Sequence, residues 1–293
     1  MNHIEKSPDI KFSQNEISNK KLIERLVGQS GIKEGDLVYD IGAGSGNISE
    51  ALLKKGARVI AIEKDERLYR ECKEKFIGED RFELYLDDFL ISEIPPDRKY
   101  KVFSNIPFFH TADIVNKLLF GGSPPEDCYL IVQKEAAEKY TGFPAETLAS
   151  LLIKPLFWVD ILYRFKQEDF HPAPSVDIVL IQFEKRMSPL IPGGYYNLYR
   201  DFIHYFREEK SGTIKKSLKE LFTYPQIKRM CRALNFSYRS HPAGLNYVQY
   251  LGIFQYYLDY NRKHTSLVQG TEEKVLERQH GRIKVHRTRK RRK

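Results

Sequence analysis

LVYDIGAGSGNIS, residues 37–49, runs from an apolar strand, Leu37 to Ile41, through the glycine turn Gly42 to Gly46 and into a helical pattern that begins near Asn47. Glycine is needed where a strand turns tightly into a helix and the backbone must approach a ligand, and the helix N-terminus beyond such a turn offers unpaired N–H groups. The dinucleotide pattern G-x-G-x-x-G requires glycine or alanine at position 47, where this chain has Asn47. Asp40, directly before the turn, would also sit badly beside a phosphate. It suits instead a ligand that carries an ammonium group and no phosphate.

The same alternation continues along the chain. Arg58 to Ile62, Phe82 to Leu86, Lys101 to Ser104 and Cys128 to Val132 read as strands, and Asn47 to Lys54, Asp65 to Phe76 and Ala112 to Phe120 have helical spacing. Strands separated by helix-length connections predict parallel βαβ units and a doubly wound α/β sheet. Two further apolar runs, Phe157 to Phe165 and Asp177 to Phe183, are joined by a proline-rich connection and are expected to close the sheet as an antiparallel pair. MSPLIPGG, residues 187–194, marks a domain boundary. Beyond it, Tyr195 to Arg207, Thr213 to Phe222, Pro225 to Leu234 and Tyr247 to Tyr260 predict a small helical domain packed by its own tyrosines and phenylalanines.

With 293 residues, 41% of them apolar and 30% charged, the composition is that of a soluble globular protein. The longest apolar run, Leu148 to Phe165, is interrupted by Lys154, Pro155, Asp160 and Arg164, so no membrane span is expected. The first ten residues show no secretory signal, which points to the cytoplasm. Cys72, Cys128 and Cys231 have neither disulfide nor metal-ligand spacing, and no metal is expected. Net charge is uneven: −6 over residues 1–185, +6 over 186–260 and +9 over 261–293. An increasingly basic second half predicts a polyanionic partner, nucleic acid above all. The sparse apolar content after Asn261 predicts a disordered tail.

Two more acidic strand ends complete a candidate ligand site. Glu63 is placed to accept from ribose hydroxyls, and Asp87 or, better, Asp88 from an adenine amino group. S-adenosylmethionine carries these groups. The fourth strand ends in SNIPF, Ser104 to Phe108, where such a sheet would hold a methyl acceptor. An exocyclic adenine amine is a poor nucleophile because its lone pair is delocalised into the ring. The Asn105 side-chain oxygen and the Ile106 carbonyl can accept both amine hydrogens and turn that lone pair toward a sulfonium methyl. Pro107 fixes the backbone, Phe108 offers a face for a base taken out of its stack, and Phe170 is expected to close the other side. His171 lies beside prolines with no paired nucleophile and is set aside as a base.

These motifs, FSQN at 12–15, YDIGAGSGNIS at 39–49, SNIPF at 104–108 and FHPAPSVDIVLIQFEKR at 170–186, resemble those of the rRNA adenine N6-methyltransferases. LFTYPQ at 221–226 and QYLGIFQYYL at 249–258 resemble the Erm family rather than the small-subunit dimethyltransferases. The resemblance, which covers about residues 12–260, implies a Rossmann-like class I methyltransferase sheet with a small C-terminal helical domain and a basic tail. It implies that S-adenosylmethionine is held against Gln14, Asn15, Asp40, Gly42, Gly44, Glu63, Asp88 and Asn105. It also implies a monomeric enzyme acting on an adenine of 23S rRNA, with resistance to macrolides, lincosamides and streptogramin B as the result. The corresponding division is a catalytic domain, 1–186, a helical RNA-binding domain, 187–260, and the tail, 261–293. Glu16 departs from the hydrophobic residue many relatives carry after QN, at the lid over the cofactor. The competing readings are a small-subunit rRNA adenine dimethyltransferase and a non-catalytic RNA-binding protein on the same fold.

Overall fold

The computed structural model describes residues 16–95, 98–207 and 212–278. Gln14 and Asn15 lie outside the described residues. In chain order the elements are β1 (Glu16–Ile17), α1 (Lys20–Gln29), β2 (Leu37–Ile41), α2 (Asn47–Lys54), β3 (Arg58–Glu63), α3 (Glu66–Lys75), β4 (Phe82–Leu86), β5 (Lys101–Asn105), α4 (Thr111–Phe120), β6 (Asp127–Gln133) and α5 (Lys134–Thr141). There follow α6 (Leu148–Ile153), β7 (Phe157–Arg164), β8 (Phe170–His171), β9 (Ile178–Lys185), α7 (Tyr196–Arg207), α8 (Ile214–Leu218), α9 (Tyr224–Ala233), α10 (Tyr247–Tyr260) and α11 (Thr265–Val268). A last helix covers 271–278.

Seven strands form one sheet in the order β4-β3-β2-β5-β6-β9-β7. Pairing is parallel from β4 through to β6, and β9 runs antiparallel to β6. The strand order reverses between β2 and β5, which opens a crevice at the carboxyl ends of the central strands, where open α/β sheets take their ligands. The central strands are continuous apolar runs because both faces are covered: Cys128 to Val132 are all within 1% of full burial. At the edge, β7 begins with the buried Phe157 and then alternates exposed and half-buried side chains. A separate two-stranded flap pairs Ile17 of β1 with Phe170 of β8. These strands are two residues long, and no periodicity signals them.

The structure divides into two units, one containing the sheet and the other comprising 138–157 together with the described residues from Arg186 onward. The sequence boundary at 186 is therefore incomplete. Although α6 precedes β7, it packs with the helices: Tyr199 Oη donates to Leu151 O at 2.9 Å and Tyr196 Oη to Leu152 O at 2.7 Å. Its run LASLLI is apolar enough to be buried from Ser150 to Ile153, and chain continuity gives no hint of which unit buries it. The helical unit is centred on Tyr199, Phe202, Phe206, Tyr250, Phe254 and Tyr257, each at most 1% exposed, as expected for packing aromatics.

The expectation of disorder after Asn261 is corrected for the described part of the tail. Asn261 is buried and its Nδ2 donates to Leu221 O at 2.6 Å, Val268 is fully buried, and Thr271 is 6% exposed. Asp201 accepts from the amides of Gly270 and Glu272, each at 3.0 Å, and Glu272 pairs with Arg200 at 2.5 Å. A few long-range anchors, rather than local apolar density, hold this segment.

Candidate functional site

The glycine turn makes three left-handed steps, with φ of +71° at Gly42, +56° at Gly44 and +77° at Gly46, which glycine adopts without steric cost. At Gly46 a Cβ would also lie 2.6 Å from the Phe76 ring and 3.0 Å from Cys72 Sγ, so no larger residue fits. The turn is clamped from below by Glu63. One carboxylate oxygen accepts from Gly44 N at 2.8 Å, and the other from the amides of Lys64 and Asp65 at 2.8 Å each. A carboxylate offers about four acceptor positions, so Glu63 can take a further donor from the crevice. Lys75 ties the far side, its Nζ reaching Ser45 O at 3.3 Å and Gly46 O at 3.2 Å. Lys75 is also the main reason that Glu50, which pairs with Lys54 and Lys20 as well, is held down at about 2.

Asp40 is buried beneath the turn. Ser49 Oγ donates to one of its oxygens at 2.7 Å, and the other has no partner among the described residues. Burial pushes this carboxyl up to about 7, against the lowering effect of Ser49. At the end of β4, Asp87 accepts from Asp88 N and Ser92 Oγ, which makes it a local cap. Asp88 accepts from Leu90 N at 2.9 Å and pairs with Lys64 at 2.6 Å, and the Lys64 ammonium holds it below the usual carboxylate range.

Ser104 sets the position of the fourth strand end. Its hydroxyl accepts from Ile41 N at 2.7 Å, which locks β5 to β2 one residue before Asn105. Asn105 is 9% exposed and Ile106 is 1% exposed. Pro107 O accepts from His110 N at 3.0 Å, closing a short turn over Phe108–His110. Phe108 is half-buried and packs on the core.

Two adjoining cavities meet at Gly42 and Leu68. The first, about 780 Å³, is lined by Ile41, Gly42, Ile62, Glu63, Asp88, Phe89, Leu90, Pro107, His110 and Ile114 among others. The second, about 670 Å³, is lined by Glu16, Gly42, Gly44, Asn47, Asn105 and His171 among others. The crevice thus brings together Gly42, Gly44, Glu63, Asp88, Asn105 and Pro107. The expectation for Phe170 is corrected. It is 4% exposed and its ring packs edge-on against Phe165 at 5.3 Å, because the pairing with Ile17 turns it into the core. The next residue on the strand necessarily faces the other way, so His171, set aside as a base in the sequence reading, lines the second cavity.

Glu16 is a residue whose position the sequence left open. One of its oxygens accepts from Ser45 N at 3.1 Å, from Ser45 Oγ, and from Asn47 Nδ2 at 3.2 Å. Asn47 also donates to Ile17 O at 3.3 Å. The flap is thereby latched to the first turn of α2. The signal in the sequence was the departure itself, a carboxylate in a hydrophobic position, together with Asn47 in place of the third glycine.

The residues fit a cationic adenosyl ligand. Three carboxylates, Asp40, Glu63 and Asp88, stand at consecutive strand ends, and one buried oxygen of Asp40 is unpaired. Apolar side chains from Ile41, Ile62, Phe89, Leu90 and Ile114 can cover a planar base. A diphosphate would face these carboxylates as like charges. Among the described residues no cluster of His, Cys, Asp and Glu could hold a metal ion, and no helix is long and apolar enough to cross a membrane.

Comparison with known proteins agrees with this geometry. A family profile described as ribosomal RNA adenine dimethylase matches residues 6–258. An Escherichia coli protein named rRNA adenine N-6-methyltransferase is 31% identical over 258 residues, covering 86% of this chain and 98% of that protein. The ribosomal RNA small subunit methyltransferase A of Protochlamydia amoebophila is 26% identical, covering 83% and 89%. In fold, the chain is similar to the crystal structure of the 23S rRNA methyltransferase ErmE, with a TM-score of 0.76 and 24% identity over 83% of this chain and 99% of that one.

Proposed function

The chain belongs to the ribosomal RNA adenine dimethylase family, and from this premise we propose that it methylates N6 of an adenine in 23S rRNA and thereby confers resistance to macrolides, lincosamides and streptogramin B. It is an S-adenosylmethionine-dependent rRNA adenine N6-methyltransferase. The observation that carries the site assignment is the convergence of Asn105 with the glycine turn, Glu63 and Asp88 on one crevice. The preference for 23S over small-subunit rRNA is supported by the Erm-like helical segments at 221–226 and 249–258.

When bound, S-adenosylmethionine supplies an electrophilic methyl on a cationic sulfur. Asp88 and the apolar lining would hold its adenine and Glu63 its ribose, while the amino-acid end would lie along the backbone of Gly42 and Gly44, with the Asp40 carboxyl buried beneath the turn. Gln14 and Asn15 join this set by resemblance. Asn105, with the Ile106 carbonyl, accepts the hydrogens of the target amine and orients its lone pair, while Pro107 and Phe108 seat the base. Because Asn105 is only 9% exposed, its dipole acts on the amine with reduced screening by water. The helical unit contributes RNA contacts. Tyr224, 40% exposed, has the ammonium groups of Lys215 and Lys228 at 4.6 and 4.7 Å from its ring centroid, and Arg239 lies over Tyr238 at 5.7 Å. Aromatic and basic side chains interleaved in this way suit bases and phosphates.

Primer extension on both large- and small-subunit rRNA from cells expressing the chain tests the assignment. A stop at one adenine of 23S rRNA, with raised macrolide tolerance, is the expected result. A stop confined to 16S rRNA would transfer the enzyme to ribosome assembly.

A further inference from the structure

Phe109 is 93% exposed, although it directly follows the half-buried Phe108. The residues around it hold it on a rigid support. His110 N donates to Pro107 O at 3.0 Å, Thr111 Oγ1 donates to Phe108 O at 3.0 Å, and the His110 ring meets Phe109 edge-on at 5.2 Å and 85°. Pro107 and His110, on either side of the aromatic pair, both line the first cavity. A large apolar ring is therefore presented to water at the rim of the crevice, four residues from Asn105. The fold does not require it, since the ring is almost wholly open to solvent and a polar side chain would satisfy the same turn.

The depth of Asn105 supplies a reason. An adenine that stays in its stack cannot bring N6 to a side chain that is 9% exposed, so the target must be extruded, at the cost of unstacking it from its neighbours. Proteins that unstack bases commonly place an apolar or aromatic side chain against the exposed neighbour. We propose that Phe109 stacks on the base next to the extruded adenine and takes the place the adenine has left. This rests on the reading of the chain as an rRNA adenine methyltransferase. The role differs from that of Phe108, which faces the target base itself. Phe109 thus selects for targets embedded in a stack and is silent toward targets already free of one.

The test compares wild type, Phe109→Ala and Phe109→Trp in single-turnover methyl transfer. Two RNAs are used: a 23S rRNA stem-loop that the wild type methylates, and the same stem-loop with abasic residues on both sides of the target adenine. Phe109→Ala should lose about tenfold or more on the intact RNA and less than about twofold on the abasic one, and Phe109→Trp should behave as wild type on both. Fluorescence of 2-aminopurine at the target position should rise on wild-type binding and rise less with Phe109→Ala. Thermal midpoint and cofactor affinity should not change, as the residue is exposed. Equal losses on the two RNAs, or no loss on either, would overturn the stacking role while leaving the methyltransferase assignment in place. A wild type inactive on every rRNA substrate would overturn that assignment and this inference together.

Discussion

Asn105 and Asp40 both sit at strand ends and are both almost fully buried, yet their chemistry predicts opposite phenotypes. Asn105→Ala removes an acceptor for the target amine while Glu63, Asp88 and the apolar lining still hold the donor, so methyl transfer should fall by at least ~10² while cofactor affinity by calorimetry stays within a few-fold. Near-wild-type turnover would remove Asn105 from the reaction. Asp40 titrates near 7 in the folded protein, pushed up by burial, and near 3.9 when unfolded. Between these values the folded state keeps a proton that the unfolded state releases. Stability of the unliganded protein should therefore fall as pH rises from about 4 to about 7, by at most about 1.4 kcal/mol per pH unit from this group. Asp40→Asn should abolish that component, and urea titrations at pH 5, 6, 7 and 8 would show it. A cationic ligand favours the ionised form, so wild-type cofactor affinity should rise over the same range with release of a proton. That Glu63, Asp88 and Asn105 would meet at one crevice was legible because strand ends are local in sequence, whereas Asp40 lies buried beneath the turn and lines neither cavity. Phe170 was misread because its direction depends on pairing with Ile17, some 150 residues away, and the same pairing brings His171 into the crevice.

At the level of elements, β2, β4, α2 and α10 have the bounds their apolar periodicity predicts, since each buries a face that repeats at its own period. The two-residue flap strands and α6 escaped notice, being too short for a period. The latch between the flap and α2 belongs to this scale. Glu16 satisfies donors at the first turn of α2, where a carboxylate also meets the positive end of the helix. Glu16→Ala should cost ~1 kcal/mol or less, a small shift in thermal midpoint. Its larger effect should be kinetic: hydrogen exchange of the Ser45 amide and of the flap should quicken together. Glu16→Gln, which keeps one acceptor, should recover part of the protection. Unchanged exchange in Glu16→Ala would show that β8 alone holds the flap in place.

For the whole molecule, the division of charge has to be redrawn along the structural boundary. Residues 261–278 carry only +1 and supply Asn261, Val268 and Thr271 to the helical unit, so +8 of the tail's +9 lies beyond Arg278. Composition alone could not separate these two parts, because Val268 is one apolar residue among many polar ones. The separation turns a single truncation into two with different outcomes. Ending the chain at Tyr260 exposes the groups that Val268 covers, and burying a valine is worth roughly 1.5 to 3 kcal/mol. It also strips Asp201 of both its amide donors. This variant should melt at lower temperature and lose RNA binding and activity together. Ending the chain at Arg278 removes charge without touching those anchors, so thermal midpoint, cofactor affinity and the methyl-transfer step should match the full chain. What should change is the salt dependence of RNA binding, by roughly 0.7 to 0.9 in the slope of log K against log salt for each phosphate no longer neutralised. Three such phosphates would lower the slope by roughly 2 to 3, well within the resolution of filter binding between 50 and 200 mM salt. Equal slopes for the full chain and the Arg278 truncation would assign the polyanion contacts to the helical unit, where Lys215 and Lys228 flank Tyr224.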